Sequence, residues 1–377
     1  ENHSTTGLAF TVKILVVNGG SSSYKFALFT VSDPETLENP IWKAEVNWSG
    51  GGKGGEEALV ASLKEVSLPD AIGHRVVHGG ADFFQPTLLT PEVVQKIGAL
   101  TPLAPLHHPI HLQAIRICRE LFPHAPQVAV FDTAFHATLK EAIKTYPIPY
   151  IWKENGVCKY GFHGISHHYC AWRMRKLIGR EQFRLVNCHL GSGCSLAAIQ
   201  DGVSVDTSMG MTPLEGLMMA TRSGSIDPGV LLYLMQQPGM SVERLDWMLY
   251  NESGLKGIAG TADMRLLLQQ SSPKASLALE MYLHRLICGV GAMVASLRGV
   301  DCLSFTGGVG QNSAWIREKV GEALGFLGIA IVEESNIAGP PDRCISVPSS
   351  QVQVWVLAAQ EEWMVAHQTS QRLIGMQ

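Results

Sequence analysis

Two turns rich in glycine and serine, one in each half of the chain, carry groups that could bind phosphate. The first follows apolar residues 14–17 and holds Asn18 and Lys25, and the second spans residues 190–195. Consecutive turn amides can point at one anion, and an amide oxygen or a carboxylate can hold Mg²⁺. Neither turn has the Gly-x₄-Gly-Lys-Ser/Thr pattern ahead of a helix, which excludes a Walker-type NTPase.

Two loop-borne arginines, one aspartate and one histidine could act on the same kind of anion. Arg75 stands at a strand end before Gly79-Gly80, and Arg222 lies in a Gly- and Ser-rich loop. Guanidinium groups bind carboxylate or phosphate in a bidentate manner. Asp132 follows the predicted strand 127–131, which is apolar after Gln127, and could orient an arginine, hold metal-bound water, transfer a proton or cap a turn. His163 lies between two glycines, where its ring can approach a ligand.

Clustered histidines also raise the question of a metal site. His163 and His167 are spaced i, i+4, and His107, His108 and His111 form a second group. No third ligand can be assigned to the first pair, and Gly164 between its members weakens a helix. We therefore rank zinc low for both groups and favour a phosphate-facing His107.

Composition limits the class of protein. The chain has 377 residues, of which 46% are hydrophobic and 16% charged, with a net charge of −4. This length favours two domains, and the charge gives no reason to expect nucleic acid or a membrane as partner. Eight cysteines without a Cys-x-x-Cys pair indicate free thiols, and residues 1–11 lack signal-peptide features, so we expect a cytoplasmic protein. Residues 286–297 are too short to span a bilayer and predict a buried helix.

The order of predicted elements is that of an α/β protein with mixed sheets. Hairpins are predicted at residues 14–29 and 185–199, and buried strands at 71–77, 127–131, 302–305 and 353–357. A flexible loop is predicted at 49–55. The glycine-rich residues 307–310, beside which an adenosine could lie, are predicted to follow a strand and open a helix. Helices are predicted at 58–66, 90–99, 111–121, 229–236, 242–250, 262–270, 275–298, 313–324 and from about 359.

With these segments in order, the chain resembles the acetate kinase family of the acetate and sugar kinase, Hsp70 and actin superfamily. The resemblance runs from Lys13 to about His367 and rests on motifs that include VVNGGSSSYKF, GHRVVHGG, LAPLHHP, FDTAFH, YGFHGISHHY, CHLGSGCS, TRSGSIDPG, GIAGTADMR and FTGGVGQNS. It implies two duplicated actin-like (ribonuclease H-like) lobes with a nucleotide cleft between them. The implied lobes are residues 1–134 with 362–377, and residues 135–361.

The family resemblance also implies an activity and a set of site residues. The activity is reversible, Mg²⁺-dependent transfer of the ATP γ-phosphoryl group to acetate, giving acetyl phosphate and ADP, with Mn²⁺ as an alternative metal. Metal binding falls to Asn18 and Glu361, phosphate contact to Lys25, and catalysis to Asp132, Arg75, Arg222, His163, His107 and His189. The implied nucleotide-binding residues are His189, Leu190, Gly191, Ser192, Gly193, Asp263, Met264, Arg265, Gly308, Val309, Gly310, Gln311 and Asn312.

The acyl pocket implied by the resemblance consists of Arg75, Val77, Leu106, Phe162 and Pro213, and a homodimer built on the second lobe is expected. Two alternatives remain open. A propionate kinase of the same family differs little in its motifs, because one methylene changes discrimination by only about 1–3 kcal/mol. A nucleotide-switched binding protein of the actin or Hsp70 type would not need Arg75, His163 and Arg222.

Overall fold

The computed structural model describes residues 11–20, 23–33, 35–47 and 53–375. These residues form two compact units. One comprises the described residues up to Phe135 and those from Gln360 onward, and the other comprises His136–Ala359. Glu361, the last residue of the predicted second lobe, therefore belongs to the first unit. Each unit contains its own six-stranded mixed sheet with helices, which confirms the α/β class.

The first unit is built on a sheet whose strands run in the order β3-β2-β1-β4-β6-β5. The antiparallel hairpin predicted at residues 14–29 is β1 and β2, and β4 and β6 continue the sheet parallel to β1. The short edge strand β5 pairs antiparallel with β6. The strands are β1 (Val12–Gly19), β2 (Ser23–Val31), β3 (Trp42–Asn47), β4 (Ala71–Val76), β5 (Thr87–Leu88) and β6 (Gln127–Phe131).

The second unit repeats this sheet. Its strands run in the order β9-β8-β7-β10-β12-β11, again with an antiparallel meander, two parallel strands and an antiparallel edge. The same order and directions in both sheets confirm the predicted duplication. The strands are β7 (Arg184–Leu190), β8 (Cys194–Gln200), β9 (Val203–Thr207), β10 (Cys302–Thr306), β11 (Arg343–Cys344) and β12 (Gln353–Val356).

Fifteen α-helices connect and cover the strands of the described chain. Helix α2 starts where predicted, because Pro91 occupies its first turn and Thr90 Oγ1 accepts a hydrogen bond from the Val93 amide at 3.3 Å. The helices are α1 (Lys53–Glu65), α2 (Pro91–Ala99), α3 (His108–Leu121), α4 (Glu141–Lys144), α5 (Ile151–Glu154), α6 (Gly164–Ile178), α7 (Pro228–Met235), α8 (Val242–Asn251), α9 (Gly254–Ala259), α10 (Met264–Leu268), α11 (Pro273–Leu297), α12 (Gly307–Asn312), α13 (Ala314–Ala323), α14 (Glu333–Ile337) and α15 (Glu361–Ile374).

Three expectations about these elements were wrong in detail. The loop predicted at 49–55 is helical from Lys53 onward, and its residues 49–52 lie outside the described residues. The helix predicted at 262–270 covers only α10, because the Asp263 side chain caps the Arg265 amide at 2.9 Å and so fixes the helix start. Helix α6 was not predicted, since its first glycine and two histidines obscured the apolar spacing. Residues 307–310 open a helix as predicted, and that helix is the short α12.

Opposite faces of the first sheet pack against different helices. Leu15, Val17 and Phe26 point to a cluster that includes buried side chains of α1 and α3. The alternate face carries Gly73 of β4, where α15 crosses the sheet. A Cβ at this glycine would lie 2.4 Å from Thr369 Oγ1, so only glycine allows the close approach. This packing fixes the start of α15 near the strand ends.

Helix α11 forms much of the core of the second unit. Among the described helices it is the one long and apolar enough to span a membrane by length and composition. Its buried positions recur every three or four residues and pack against β8 and α9, which is the pattern of an amphipathic core helix. The helix predicted at 286–297 is thus present, with one face buried and residues such as Leu277 half exposed.

Candidate active site

Three predicted site residues of the first unit meet at one edge of its sheet. Asn18 lies in register with Arg75 of β4 and Lys25 of β2, and Asp132 directly follows β6. Arg75 Nη2 donates to Asp132 Oδ2 at 2.5 Å, and Arg75 Nη1 donates to Asn18 Oδ1 at 3.2 Å. Of the four roles left open for Asp132, this contact supports the orientation of an arginine.

Arg75 is held in a partly desolvated position with donors to spare. Its side chain is 16% exposed, and its buried Nε has no hydrogen-bond partner among the described residues. Burial alone would lower the pKa of Arg75, but the charges of Asp132 and Glu361 outweigh it and raise the pKa. The bonds to Asp132 and Asn18 use two of its five N–H groups, so the terminal nitrogens keep donors for an anionic oxygen.

The start of α15 brings two carboxyl groups to the same edge. Burial raises the pKa of Glu361 to about 7, with Asp132 and Glu362 adding to the effect against Arg75 and Lys25. Asn18 Nδ2 donates to Glu362 Oε1 at 3.3 Å, a contact that the sequence did not predict. No group of three His, Cys, Asp or Glu side chains in the described chain could hold a metal.

These groups nevertheless fit Mg²⁺, which keeps several waters and binds through one or two carboxylates together with substrate phosphates. Glu361 supplies one carboxylate and Asn18 one amide oxygen, and both are hard oxygen ligands. The raised pKa of Glu361 means that burial disfavours its charged form, which a cation beside it would favour.

Lys25 and His107 lie at the margins of this group. Lys25 is exposed and, with Lys43 and Glu362, lines an open cavity of about 400 Å³. His107 precedes α3, and its ring centroid is 6.3 Å from that of His111. Buried His111 donates through Nε2 to the Gly19 carbonyl at 3.1 Å and so ties α3 to the first turn. Sequence reasoning treated His111 only as a metal candidate and missed this structural bond.

In the second unit, His163 and His189 stack at the end of the second hairpin. Their ring centroids are 4.2 Å apart, and His189 Nδ1 is 2.8 Å from Ser166 Oγ. His163 has a φ of 55°, in the left-handed region that non-glycine residues seldom adopt. Such strain persists where the surroundings enforce it and is frequent at functional sites.

Arg222 reaches the same place as His163. A Cβ on Gly193 would lie 3.3 Å from His163 Nε2 and 3.4 Å from Arg222 Nη1, so both groups border this glycine. Arg222 Nη1 donates to the Pro213 carbonyl at 3.2 Å. Burial lowers the pKa of Arg222, with Tyr250 and the Cys194 thiol offsetting part of the effect. Arg222 and His163 form a second candidate anion-binding group.

A cavity of about 760 Å³ in the second unit gathers most of the predicted nucleotide residues. It is lined by Gly191, Ser192, Asp263, Met264, Arg265, Gly308, Val309 and Asn312, and also by Ala220, Leu255, Ala262, Leu268, Tyr282, Ser313, Ala314 and Trp315, which were not predicted. His189, Leu190, Gly193, Gly310 and Gln311 are not part of its lining. Gln311 Nε2 instead donates to Gly307 O at 3.3 Å within its own helix.

A buried arginine that the sequence did not identify holds one wall of this cavity. Arg317 is 1% exposed, and its Nη1 donates to the carbonyls of Gly310 and Gln311, both at 2.8 Å. Its Nε donates to Asn336 Oδ1 at 2.8 Å. Burial lowers the pKa of Arg317 to about 10, with Arg343 adding to the effect. The guanidinium thus fastens the carbonyl end of α12 to α14.

The four aliphatic, aromatic and proline residues of the predicted acyl pocket are divided between the units. Val77 is buried and Leu106 is 64% exposed in the first unit, whereas Phe162 is buried beside His163 and Pro213 accepts the bond from Arg222 in the second. Within either unit alone, the structure does not bring all four together.

The repeated sheet and the two anion-binding groups define a phosphate-handling α/β protein, and comparison with known proteins identifies its family. The acetokinase family matches residues 56–367. Acetate kinase from Protochlamydia amoebophila is 48% identical over 386 residues, which cover 94% of this chain and 98% of that protein. Acetate kinase from Synechococcus sp. (strain JA-2-3B'a(2-13)) is 47% identical over 395 residues, at 94% and 98% coverage. The chain belongs to the acetokinase family.

Solved structures support the same assignment. The Porphyromonas gingivalis acetate kinase structure gives a TM-score of 0.85 at 37% identity and covers 96% of this chain and 100% of that one. A propionate kinase from Francisella tularensis subsp. tularensis SCHU S4 also gives 0.85 at 37% identity, with 96% and 99% coverage. The chain is therefore an enzyme of this kinase family.

Proposed function

We propose that the chain catalyses reversible transfer of the ATP γ-phosphoryl group to acetate, giving acetyl phosphate and ADP. The observation that carries this proposal is the guanidinium of Arg75, which Asp132 and Asn18 hold while 16% of the side chain stays exposed. Each terminal nitrogen has one further N–H, to which a substrate carboxylate or phosphoryl oxygen would bind. The acetate kinases described above support acetate as the acid.

Chemistry at this site needs charge neutralisation and alignment more than a base. An acetate oxygen attacks the γ-phosphorus, the bond to the bridging oxygen of ATP breaks, and its electron pair leaves with ADP. The ionised carboxylate is already a nucleophile, so no proton must be removed. We assign Arg75, Arg222 and His163 to neutralising the negative charge of the transferred group, and His107 and His189 to positions beside it.

Nucleotide and metal have separate candidate ligands. The cavity lined by Asp263, Arg265 and Trp315 is assigned to the nucleoside, and Lys25 to the phosphates. Asn18 and Glu361 would hold Mg²⁺, or Mn²⁺ in its place, and the metal would neutralise phosphate charge when bound. Asp132 would keep Arg75 oriented through the contact described above.

Helix α7 supports a homodimer. None of its residues is buried, although Leu232 is 68% exposed and Tyr233 is 64% exposed. Exposed apolar residues grouped on one element mark association surfaces. If this surface joins two copies, Leu232→Asp should halve the mass measured by light scattering, and Leu68→Asp, which changes an equally exposed leucine in the first unit, should not. An unchanged mass for Leu232→Asp would contradict the use of α7.

We also propose a cytoplasmic enzyme without nucleic-acid or membrane partners. All eight cysteines are free thiols, which is usual in a reducing compartment. The net charge of −4 offers no general attraction to anionic polymers or lipids.

The activity is tested by trapping acyl phosphate with hydroxylamine in the presence of ATP, Mg²⁺ and acetate. Arg75→Ala should abolish most hydroxamate formation, because the fixed positive charge at the phosphoryl group is lost. Arg116→Ala is the matched control, since Arg116 is a half-exposed arginine of the same unit that pairs with Glu56 and Glu120. Equal activity of the two variants would refute the role of Arg75.

Propionate and butyrate assays belong to the same experiment. A kcat/KM for propionate above that for acetate would replace the proposed substrate while leaving the reaction class intact. If none of the three acids gives hydroxamate while the protein still binds ATP, the result would favour a nucleotide-switched binding protein instead.

A further inference from the structure

A buried chain of hydrogen bonds runs inward from His163 through four elements of the second unit, namely β8, α6, β7 and β10. His163 Nδ1 is 2.9 Å from Ser195 Oγ, and the same oxygen is 2.7 Å from His167 Nε2. His167 Nδ1 is 2.8 Å from Asn187 Nδ2, and Asn187 Oδ1 accepts a bond from Ser304 Oγ at 2.6 Å. Ser195, His167, Asn187 and Ser304 are each completely buried.

Proton counting gives this chain a direction. The Asn187 amide nitrogen can only donate, so His167 Nδ1 must accept and His167 must carry its proton on Nε2. That proton is donated to Ser195 Oγ. The serine hydroxyl has a single proton, and its donation to His163 Nδ1 continues the chain in the same direction. Burial also holds the pKa of His167 well below its ordinary value, in keeping with a neutral ring.

We propose that Ser195, His167 and Asn187 are positioning residues that fix His163 as the neutral tautomer with its proton on Nε2. Nε2 is the nitrogen that borders Gly193 together with Arg222 Nη1. The relay therefore aims an N–H donor, rather than a lone pair, at the place where Arg222 also points. This inference rests on the proposed function, in which His163 acts on the transferred phosphoryl group.

A donor at this position has a chemical purpose. The transferred group carries negative charge on its oxygens, which an N–H stabilises and a nitrogen lone pair repels. The opposite tautomer would place that lone pair beside the anion. A wrong histidine tautomer is known to lower turnover strongly even where geometry is intact.

Asn187→Asp tests the direction of the relay with almost no change of shape. A carboxylate cannot donate, so His167 must move its proton to Nδ1, the serine proton turns toward His167, and His163 must donate from Nδ1. We expect kcat to fall about 100-fold with KM for acetate and ATP within about threefold. The new carboxylate also favours a charged imidazole, so the pH profile of kcat should change.

Ser195→Ala breaks the relay without reversing it and should lower kcat about 10- to 100-fold. Ser204→Ala is the matched control: it removes a buried serine–histidine bond of the same unit, from Ser204 Oγ to His136 Nδ1 at 2.8 Å, outside the relay. It should keep kcat within about threefold of wild type. Equal losses in Ser195→Ala and Ser204→Ala would indicate a merely structural role and overturn the proposal.

Ring-nitrogen NMR on the ¹⁵N-histidine-labelled enzyme provides a readout that does not depend on activity. Protonated and unprotonated ring nitrogens differ widely in chemical shift, and His163→Gln assigns the signal. Wild type should show a protonated Nε2 and an unprotonated Nδ1 for His163, reversed in Asn187→Asp. A protonated Nδ1 in the wild type would overturn the relay while leaving the kinase intact, whereas a wild type that forms no acyl phosphate would instead refute the proposed function.

Discussion

Gly193 allows the sharpest test of how closely the second anion-binding group is built. A Cβ at this position would lie 3.2 Å from His163 Cε1, 3.3 Å from His163 Nε2 and 3.4 Å from Arg222 Nη1. Such contacts are closer than ordinary van der Waals contact, so Gly193→Ala must push one or both groups away by a few tenths of an ångström.

Neither neighbour can yield freely. His163 is bonded to Ser195 at 2.9 Å and stacked on His189, and Arg222 Nη1 is bonded to the Pro213 carbonyl. Misplacement by about 1 Å can reduce turnover about 100-fold, so a few tenths of an ångström should reduce kcat about 3- to 10-fold. That corresponds to about 0.7–1.4 kcal/mol of lost transition-state stabilisation.

The assay is steady-state formation of acetyl hydroxamate, with thermal unfolding measured in parallel. Gly291→Ala is the control, because no atom lies within 4 Å of the position that its Cβ would take. Gly193→Ala should lose turnover while its Tm stays within a few degrees of that control. If both variants match wild type in kcat, His163 and Arg222 are not held at this distance during turnover, and the reasoning fails.

Two further substitutions and one pH titration test other parts of the site and the fold. Asp132→Asn should lower kcat about 100-fold, because Arg75 loses its charged partner while the acceptor oxygen remains; full activity in steady-state kinetics would refute the orienting role. Arg317→Lys should raise KM for ATP about tenfold and leave KM for acetate unchanged, since an ammonium cannot bridge α12 and α14; equal rises in both would contradict it. Burial lowers the pKa of His74 and His136 to about 4, so between pH 6.5 and pH 4 these rings are protonated in the unfolded chain but not in the folded one. Each histidine should therefore lower the free energy of unfolding by about 3 kcal/mol as the pH falls over that interval, and a Tm that is constant across it would contradict this prediction.

The strands of the fold could be predicted from sequence because their signal is local. Residues 14–17 and 128–131 are continuous apolar runs that end at turn residues, and both proved to lie in buried strands ending at the site. Helix α6 could not be predicted, because a glycine start and two histidines hide the spacing of Ile165, Tyr169 and Met174 on its buried side.

The residues of the candidate site could likewise be predicted only in part. Residues inside glycine-rich motifs, such as Arg75 and Gly191, were recognisable because their types suit anions at their positions. Trp315 and Tyr282 were missed, although both line the large cavity, because an aromatic residue on a helix looks like ordinary core until the neighbouring helix is known. Arg317 was missed for a related reason: a buried guanidinium bonded to backbone carbonyls has no local sequence pattern.

The duplicated sheets show how one architecture came to hold two kinds of chemistry. In the first sheet, Asn18 stands in register with Arg75 on one side and Lys25 on the other. The matching place in the second sheet holds His189, in register with Thr306 and Ser195. Identical strand order thus presents a row with two basic side chains in one unit and a row of imidazole and hydroxyl groups in the other.

This difference matters because the two rows meet different demands. A charged row needs carboxylates to hold it while substrate is absent, and Asp132, Glu361 and Glu362 stand beside Arg75 for that purpose. In a row of imidazole and hydroxyl groups the donors must face the right way, which is what buried serine and amide groups provide. Loss of a charge in the first unit should therefore change the salt and metal dependence of the rate. Loss of a proton donor in the second should change its pH dependence, which allows the two contributions to be measured separately.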